Sequence, residues 1–351
     1  MLLRTLKKIV YELALPEGRM VGTEGHDRAR KYLTGKMKKY GFAPYRGKSF
    51  ELPYKEGRTS FCNIVGVVRG QNPKKKPVLI GAHYDSVIAA PCADDNAAAV
   101  AIALEAGRLL QKKPPERDTI IAIFDAEEPP HFCGSTMGSV RFYHDQMKKG
   151  GIHAALVMDL VGHDVQVPVG MLMDRIPELK KRLPFGRNSG IPIPHLRNLL
   201  FITGAESHPA MEAVCRNTAR PMRLQTLHTL NKHVGDMSDH GVFRENGVPY
   251  LFLSCGRWQH YHQESDTPDN LNYAKMARIT DYVVSLVRAM GGASLSAISP
   301  VICDTAKLEI FCLERTFGPL LPQILKLLRL NKLRGRQDLD ALANTLLGLG
   351  L

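Results

Sequence analysis

Several short apolar runs of this 351-residue chain are followed, directly or after a loop, by side chains that could bind a metal ion, and an acidic pair opens an alanine-rich segment. In chain order these side chains are His83, Asp85, Asp94, Asp95, Glu127, Glu128, Asp159, His260 and His262. Histidine nitrogens and carboxylate oxygens are ligands of zinc, and a catalytic zinc keeps one position open for water. Any one of them alone is more typical of a structural role, because single histidines are usually hydrogen-bonded and aspartate pairs often cap helices. Their number and their positions together predict a metal centre.

The apolar runs have the length of strands, and the segments between them have the character of helices. Strand-like runs cover 77–82, 119–124, 154–158 and 248–253, and helical segments cover 96–110 and 273–290. Strands that are apolar on both faces and alternate with helices indicate a mostly parallel sheet covered on both sides. We therefore expect an α/β fold with three α/β/α layers around a mixed, mostly parallel sheet. Ligands in such folds collect beyond the carboxyl ends of the strands.

This fold would bring the metal-binding side chains to one edge of the sheet. Glu127 and Glu128 follow a buried strand, where carboxylates without a partner are costly. Several carboxylates on one edge repel each other strongly, and bound cations relieve that repulsion. Two histidines among the carboxylates suit zinc, and two ions about 3.5–4 Å apart would share one carboxylate.

Six ordered motifs resemble those of a known enzyme family. They are GAHYDSV (81–87), PCADDNAAAVA (91–101), FDAEEP (124–129), VMDLVG (157–162), SDHGVF (238–243) and YHQESDTPDNL (261–271), and GRMVGTEGHDRA (18–29) fits the family's first helix. The chain resembles the zinc-dependent aminopeptidases of the superfamily that also holds glutamate carboxypeptidase and glutaminyl cyclase. The resemblance covers roughly residues 20–275 and implies hydrolysis of the N-terminal peptide bond of a peptide substrate with a free N-terminus.

The resemblance also implies a set of ligands for two zinc ions. Asp95, Glu128 and His262 would hold the first ion, and His83, Asp159 and the shared Asp95 would hold the second. The family places the shared aspartate four residues before a small residue, here Ala99, which favours Asp95 over Asp94. Because Ala98 and Ala99 stand where Ser-Gly is common, Asp94 stays an alternative. His262 is preferred to His260 because it lies four residues before Asp266.

Further roles follow from the same resemblance. Glu127 looks like the general base, which would take a proton from the attacking water and pass it to the departing amine. Asp85 would orient His83 from behind. Tyr261 and Asp239 resemble elements beside the substrate, although a helix cap or a packing role explains Asp239 equally well. Cobalt or manganese could replace zinc in a site of this kind.

Three other functions remain open. A glutaminyl cyclase with a single zinc would share most motifs, but cyclases have a tryptophan directly before the last histidine ligand, where this chain has Tyr261; its one tryptophan is Trp258. A dizinc carboxypeptidase or dipeptidase would read a terminal carboxylate with arginines, in which the chain is rich. A binding protein without chemistry should have lost ligands, and here every ligand position is occupied.

Composition and charge favour a globular protein. The chain is 44% hydrophobic and has a net charge of +13, with basic clusters at 36–39, 74–76 and 326–336. No nucleic-acid motif accompanies these clusters, so we expect a solvated basic surface and no nucleic acid partner. No apolar run approaches the length of a membrane span, and residues 1–20 lack the pattern of a signal peptide, so we expect no membrane association and a cytoplasmic location. The seven cysteines form no CxxC pair and predict neither disulfides nor a thiolate metal site.

We expect a peptidase domain at 1–292 and a helical extension at 293–351. The extension contains two leucine-rich stretches, 320–330 and 339–349, which could pack on the main domain or form a homo-oligomer contact. Residues 164–198 are rich in proline, glycine and arginine and are predicted to be irregular.

Overall fold

A computed structural model describes residues 1–147, 151–165, 197–295 and 302–348, together with two short strands, β7 (Val167–Pro168) and β8 (Gly190–Ile191). Its other strands are β1 (Ala43–Pro44), β2 (Glu51–Glu56), β3 (Thr59–Val68), β4 (Val78–His83), β5 (Thr119–Phe124), β6 (Ala154–Met158), β9 (Leu199–Thr203), β10 (Gln225–His228) and β11 (Tyr250–Ser254). Its α-helices are α1 (Leu2–Leu13), α2 (Glu24–Tyr40), α3 (Ala99–Lys112), α4 (Gly138–Phe142), α5 (Pro209–Asn217), α6 (Asn231–Val234), α7 (Gly241–Glu245), α8 (Tyr273–Gly292), α9 (Ala306–Phe317), α10 (Leu321–Leu327) and α11 (Arg336–Leu347). Most of the segment 164–198, for which the sequence predicts irregular structure, lies outside the described residues.

The main sheet has nine strands in the described part of the chain, in the order β1-β3-β5-β4-β6-β11-β9-β10, with β2 paired to β3. The four central strands β5, β4, β6 and β11 run parallel to one another, and antiparallel pairs at β3 and β9 extend the sheet on both sides. The prediction of a mixed sheet with a parallel centre is therefore confirmed.

Both faces of the central strands are covered. Ile80 packs in the larger hydrophobic cluster, which includes side chains of α1, α2, α3 and α8, while its neighbour Leu79 packs in a second cluster with Phe142 and Phe243. Successive strand residues point to opposite faces, so a strand needs apolar side chains at every position when both faces are covered. Each fully buried leucine or isoleucine contributes roughly 1.5–3 kcal/mol to stability. The fold therefore has the three layers expected from the sequence.

The central strands end at the same edge of the sheet. His83, the last residue of β4, is paired with Phe124, the last residue of β5, and Leu253 of β11 is paired with Met158, the last residue of β6. The segments that follow these residues carry most of the predicted site, so the register of the parallel strands brings them together.

The helices α2 and α3 near the site begin in different ways: a side chain caps α2, and an irregular turn precedes α3. Thr23 caps α2, since its hydroxyl oxygen accepts a hydrogen bond from the His26 amide at 3.3 Å. The alanine-rich helix, predicted to begin at residue 96, begins at Ala99 instead. The preceding turn, Ala93–Ala98, has non-helical backbone angles at Asp95 and Asn96. The acidic pair therefore lies in this turn and does not cap a regular helix.

The C-terminal helices contact the main sheet at its β10 edge. Leu308 and Cys312 of α9 belong to the main hydrophobic core, while α10 and α11 contribute to a separate small cluster that includes Leu325 and Leu339. The domain boundary at residue 292 and association through the leucine-rich helices stay predictions. Across the described ranges, no helix combines the length and the apolar character that crossing a membrane requires.

Candidate metal centre

The two oxygens of the Asp95 carboxylate face two different histidines. Oδ1 lies 3.3 Å from Nε2 of His83, and Oδ2 lies 3.2 Å from Nε2 of His262. Asp95 is buried, and His83 is completely shielded from solvent. One carboxylate thus lies between two imidazoles, which is the arrangement expected of a ligand shared by two ions.

Further carboxylates surround each histidine. Oδ1 of Asp159 and Oε2 of Glu127 each lie 3.7 Å from Nε2 of His83, and Oε2 of Glu128 lies 3.5 Å from Nε2 of His262. Ligand atoms from His83, Asp95 and Glu128, and equally from His83, Glu127 and Asp159, lie within 4.8 Å of one another. The structure therefore brings together all five predicted metal ligands and the predicted base.

The atoms that point into this cluster have no hydrogen-bond partner among the residues that the structure describes. They are Nε2 of His83, Nε2 of His262, Oε1 of Glu128 and Oδ1 of Asp159, and all are shielded from solvent. Buried polar atoms nearly always have a partner. A buried set of imidazole nitrogens and carboxylate oxygens without partners fits zinc in both its chemistry and its number of ligands.

Asp94, the alternative to Asp95, faces elsewhere. Its carboxylate accepts hydrogen bonds from the amide of Gly162 at 2.5 Å and from Nδ1 of His163 at 2.6 Å. A Cβ atom on Gly162 would lie 2.7 Å from Oδ1 of Asp94, so only glycine allows this approach. His260 also points away from the cluster, with Nδ1 2.7 Å from the hydroxyl of Ser265.

Asp85 joins two parts of the site. Its Oδ1 lies 3.3 Å from Nδ1 of His83, and its two oxygens accept hydrogen bonds from the amides of Glu127 at 3.1 Å and Glu128 at 3.0 Å. The carboxylate therefore contacts the back of one imidazole and holds the loop that carries two acidic side chains. The contact with His83 is the one predicted for Asp85, and the hydrogen bonds to the two loop amides were not predicted.

Backbone strain is concentrated around the ligands. The residues Cys92, Ala126, Leu160 and His262 have φ angles of 43°, 54°, 51° and 57°, a region that residues other than glycine rarely adopt. Each such residue costs on the order of 1–3 kcal/mol and persists only where the surrounding structure enforces it. The surrounding structure therefore holds these loops in unusual conformations next to the predicted ligands.

The burial of so many acids changes their protonation. Burial, together with the charges of Asp159 and Asp239, raises the pKa of Glu127 well above its ordinary value. Burial and the charge of Asp95 raise the pKa of Glu128 to about 10. Burial acts in the same direction on Asp95, but the neighbouring imidazoles of His262 and His83 outweigh it and lower the pKa of Asp95. The metal-free cluster therefore takes up protons in place of cations.

The two residues proposed to lie beside the substrate are close to this cluster. Asp239 is buried, neither of its oxygens has a hydrogen-bond partner in the described part of the chain, and burial raises its pKa to about 7. The ring of Tyr261 stacks on His262 with centroids 3.7 Å apart, and the guanidinium of Arg257 lies 5.2 Å from the Tyr261 ring centroid. Trp258 stacks on His163, 4.6 Å away, and so supports the contact that holds Asp94.

Sequence reasoning missed two residues that shape the site. Asp266 served only to count back to His262, yet its carboxylate accepts hydrogen bonds from the amides of Asp94 at 2.9 Å and Asp95 at 3.1 Å. Arg19 lies in the motif before α2, and its guanidinium contacts the same segment from another direction. Position in a motif was the available signal for both, but charged residues in loops are ordinarily solvated.

The relatives of this chain include proteins named as probable zinc metalloproteases and as aminopeptidases. The chain is 27% identical over 239 residues to the uncharacterized protein YfbL of Escherichia coli, which covers 63% of this chain and 69% of that protein. It is 24% identical over 286 residues to a probable zinc metalloprotease of Leptosphaeria maculans. This alignment covers 74% of this chain and 64% of that protein, which is less than two thirds of its length.

Solved structures share the fold. The LapA aminopeptidase of Legionella pneumophila matches with a TM-score of 0.61 at 16% identity, over 82% of this chain and 72% of that one. A glutaminyl cyclase of Bacteroides thetaiotaomicron bound to N-acetylhistamine matches with a TM-score of 0.55 at 16% identity, over 82% and 97%. The profile of peptidase family M28 matches residues 63–183 and 187–287, more than half of the chain, and the protein therefore belongs to peptidase family M28.

Proposed function

We propose that the protein is an aminopeptidase that holds two zinc ions and removes single residues from the N-terminus of peptides. The observation that carries this proposal is the position of Asp95, whose two oxygens face His83 and His262 separately. If the site held one ion beside one oxygen of Asp95, the imidazole next to the other oxygen would have no role as a ligand. Membership of a peptidase family and the zinc metalloprotease names of relatives support zinc as the metal.

The ligands divide into two sets that share Asp95. Glu128 and His262 would complete one set, and His83 and Asp159 would complete the other. Zinc bound there would supply a Lewis acid that polarises the scissile carbonyl and makes water a better nucleophile near neutral pH.

Glu127 is the residue proposed to move the proton. It is buried, it is adjacent in sequence to the ligand Glu128, and its carboxylate borders the His83 side of the cluster. Its burial beside the ligands suits a group that accepts a proton from water and then donates it to the departing amine. Asp85 accepts a hydrogen bond from the amide of Glu127 and so fixes the loop that carries the proposed base.

Substrate polarity follows from the charge of the site. Six buried carboxylates, those of Asp85, Asp95, Glu127, Glu128, Asp159 and Asp239, lie in or against the cluster. An excess of buried negative charge attracts a free ammonium group and repels a terminal carboxylate. This favours a peptide that enters with its N-terminus, with the ring of Tyr261 as one wall.

Glutaminyl cyclase activity is the second candidate. The likeness in fold to solved cyclases favours it, because aminopeptidases and cyclases both appear among the structural neighbours. Tyr261, and not a tryptophan, stacks on His262, and Trp258 packs on His163 instead. We therefore place cyclisation second.

Elemental analysis combined with a substrate panel tests the proposal. Purified protein is dialysed against trace zinc, its zinc content is measured, and aminoacyl anilides are assayed with and without chelator beside N-acetylated anilides and peptides with N-terminal glutamine. Two zinc ions per chain with chelator-sensitive release from free-amine substrates alone support an aminopeptidase. One zinc ion with cyclisation of glutamine peptides would replace this function by the second candidate. N-acetylated peptides with a free C-terminus are assayed as well, and release of their C-terminal residue would indicate a carboxypeptidase.

A further inference from the structure

Arg19 is the largest side chain among those almost fully buried in the described residues, with a residue exposure of 1%. It lies between α1 and α2, directly after Gly18, whose φ is +70°. A Cβ atom on Gly18 would lie 2.6 Å from the carbonyl oxygen of Ile88, so this turn packs directly against the loop that leads to the acidic pair. The main chain of Arg19 is fixed as well, since its amide donates to the hydroxyl of Ser86 at 2.8 Å.

All five N–H groups of the guanidinium donate to backbone carbonyl oxygens. The acceptors are Tyr84 at 2.7 Å, Leu13 at 3.1 Å, Pro91 at 2.7 Å, Cys92 at 2.9 Å and Asp95 at 3.3 Å. No carboxylate side chain is among these partners. Because a buried cation without a contacting anion is costly, a role in stability alone does not account for it.

Four of the five acceptors belong to the two segments that carry the central ligands, and the fifth, Leu13, is the last residue of α1. Tyr84 directly follows His83 at the end of β4, and Pro91, Cys92 and Asp95 form the turn that carries the shared carboxylate. The planar fork of the guanidinium fixes the distance between these segments, which a flexible point charge does not do.

Asp266 holds the same turn as a hydrogen-bond acceptor, whereas Arg19 holds it as a donor. Its carboxylate accepts from the amides of Asp94 and Asp95, whereas Arg19 donates to carbonyls of Cys92 and Asp95. The turn, which has non-helical backbone angles at Asp95 and Asn96, is therefore held between the buried guanidinium of Arg19 and the buried carboxyl group of Asp266.

We propose that Arg19 is a positioning residue for the metal pair: its guanidinium sets the distance between His83 and Asp95 and so determines how tightly zinc is bound. This inference rests on the proposed function, because it assigns Asp95 to both ions. The negative charges of Asp85, Asp95 and Asp266 lie close enough to attract the guanidinium, so its charge also offsets part of the repulsion within the metal-free site.

The test compares Arg19→Ala, Arg19→Lys and the control Arg28→Ala. Arg28 lies on α2 with its side chain half exposed and paired only with Glu17 at the surface, among the contacts described. Zinc affinity is measured by competition with a chromophoric chelator, which does not depend on turnover. We expect Arg19→Ala to bind zinc about 10- to 100-fold more weakly, as is usual when a group that orients ligands is lost. Arg19→Lys should be impaired as well, since the ammonium keeps the charge without the fork, and Arg28→Ala should match wild type.

Chemical rescue separates positioning from a general loss of stability. Millimolar guanidinium should restore zinc affinity to Arg19→Ala, whereas urea and methylammonium should not, and guanidinium should not rescue Asp95→Asn. Wild-type zinc affinity in Arg19→Ala would overturn the proposal. So would guanidinium that raises the Tm of this variant and leaves its zinc affinity low.

Two remaining outcomes are also decisive. If Arg19→Ala does not fold, Arg19→Lys supplies the comparison, and wild-type zinc affinity in that variant would overturn the proposal. If the wild-type chain binds fewer than two zinc ions, the proposed function fails, and the role of Arg19 is then judged from its effect on the ion that is bound.

Discussion

Asp94 and Asp95 are neighbours in the chain, but their carboxylates face different surroundings. Asp94 is hydrogen-bonded to Gly162 and His163, whereas Asp95 lies between the imidazoles of His83 and His262. The two residues lie in the turn Ala93–Ala98, whose backbone angles are non-helical at Asp95 and Asn96.

Replacing each of these two carboxylates by an amide should affect a different property of the protein. Asp95→Asn should lose most of the affinity for both zinc ions, because it removes the charge from a shared ligand. Asp94→Asn should keep both ions and lose stability by about 1–3 kcal/mol, because one of its buried hydrogen bonds is left unmade. Zinc content and urea unfolding measure the two effects. Metal loss in Asp94→Asn with normal binding in Asp95→Asn would exchange the assignments.

The general base should be separable from the ligands. Glu127→Gln keeps the size of the side chain and removes the proton acceptor, so we expect zinc content to stay normal and kcat to fall by about 10²–10⁴-fold. Zinc content and kcat are measured on the same preparation. Because Glu127 also lies near His83 and Asp159, loss of one zinc ion in this variant would identify Glu127 as a ligand.

Asp85 should control metal affinity without touching the metal. Asp85→Asn leaves an acceptor for only one of the two amides and weakens the contact to His83, so we expect zinc affinity to fall about 10- to 100-fold. Asp118→Asn is a matched control, because this carboxylate also accepts a backbone amide, that of Gly70, just before β5 begins and therefore at the other edge of the sheet. Equal zinc affinity in both variants would contradict the role of Asp85.

His228 should make the metal-free chain less stable in acid. Burial, with a further contribution from Arg220, lowers the pKa of His228 from 6.5 to about 3. Below pH 6.5 the unfolded chain therefore binds a proton that the folded chain does not bind, and stability falls as the pH drops towards 3. Between pH 7 and pH 5 this residue should account for about 2 kcal/mol of lost unfolding free energy.

Urea unfolding in the presence of chelator tests this dependence. The loss between pH 7 and pH 5 should be smaller in His228→Gln than in wild type, and His144→Gln, which changes an exposed histidine, should match wild type. An equal loss in His228→Gln and wild type would show that His228 is not held neutral.

The fold could be predicted because its signals are local. Apart from His83 and Thr119 at their ends, the strands β4, β5 and β6 carry no polar side chain, and such runs between helices occur in covered parallel sheets. The end of each run then placed His83, Glu127, Glu128 and Asp159 at one edge before any distance was known. The start of α3 was predicted three residues too early, because alanine favours helix while the geometry of Asp95 prevents it.

The amino-acid sequence by itself thus determined the fold class, the set of candidate ligands and the resemblance to zinc aminopeptidases, since these depend on residue types and their spacing. The tertiary structure decided which of two adjacent aspartates faces both histidines, and it revealed the contacts of Arg19 and Asp266 with the turn between them. Those contacts join residues that are more than 70 positions apart. Spacing along the chain does not show that a charged side chain is buried, because burial depends on segments that meet only after folding.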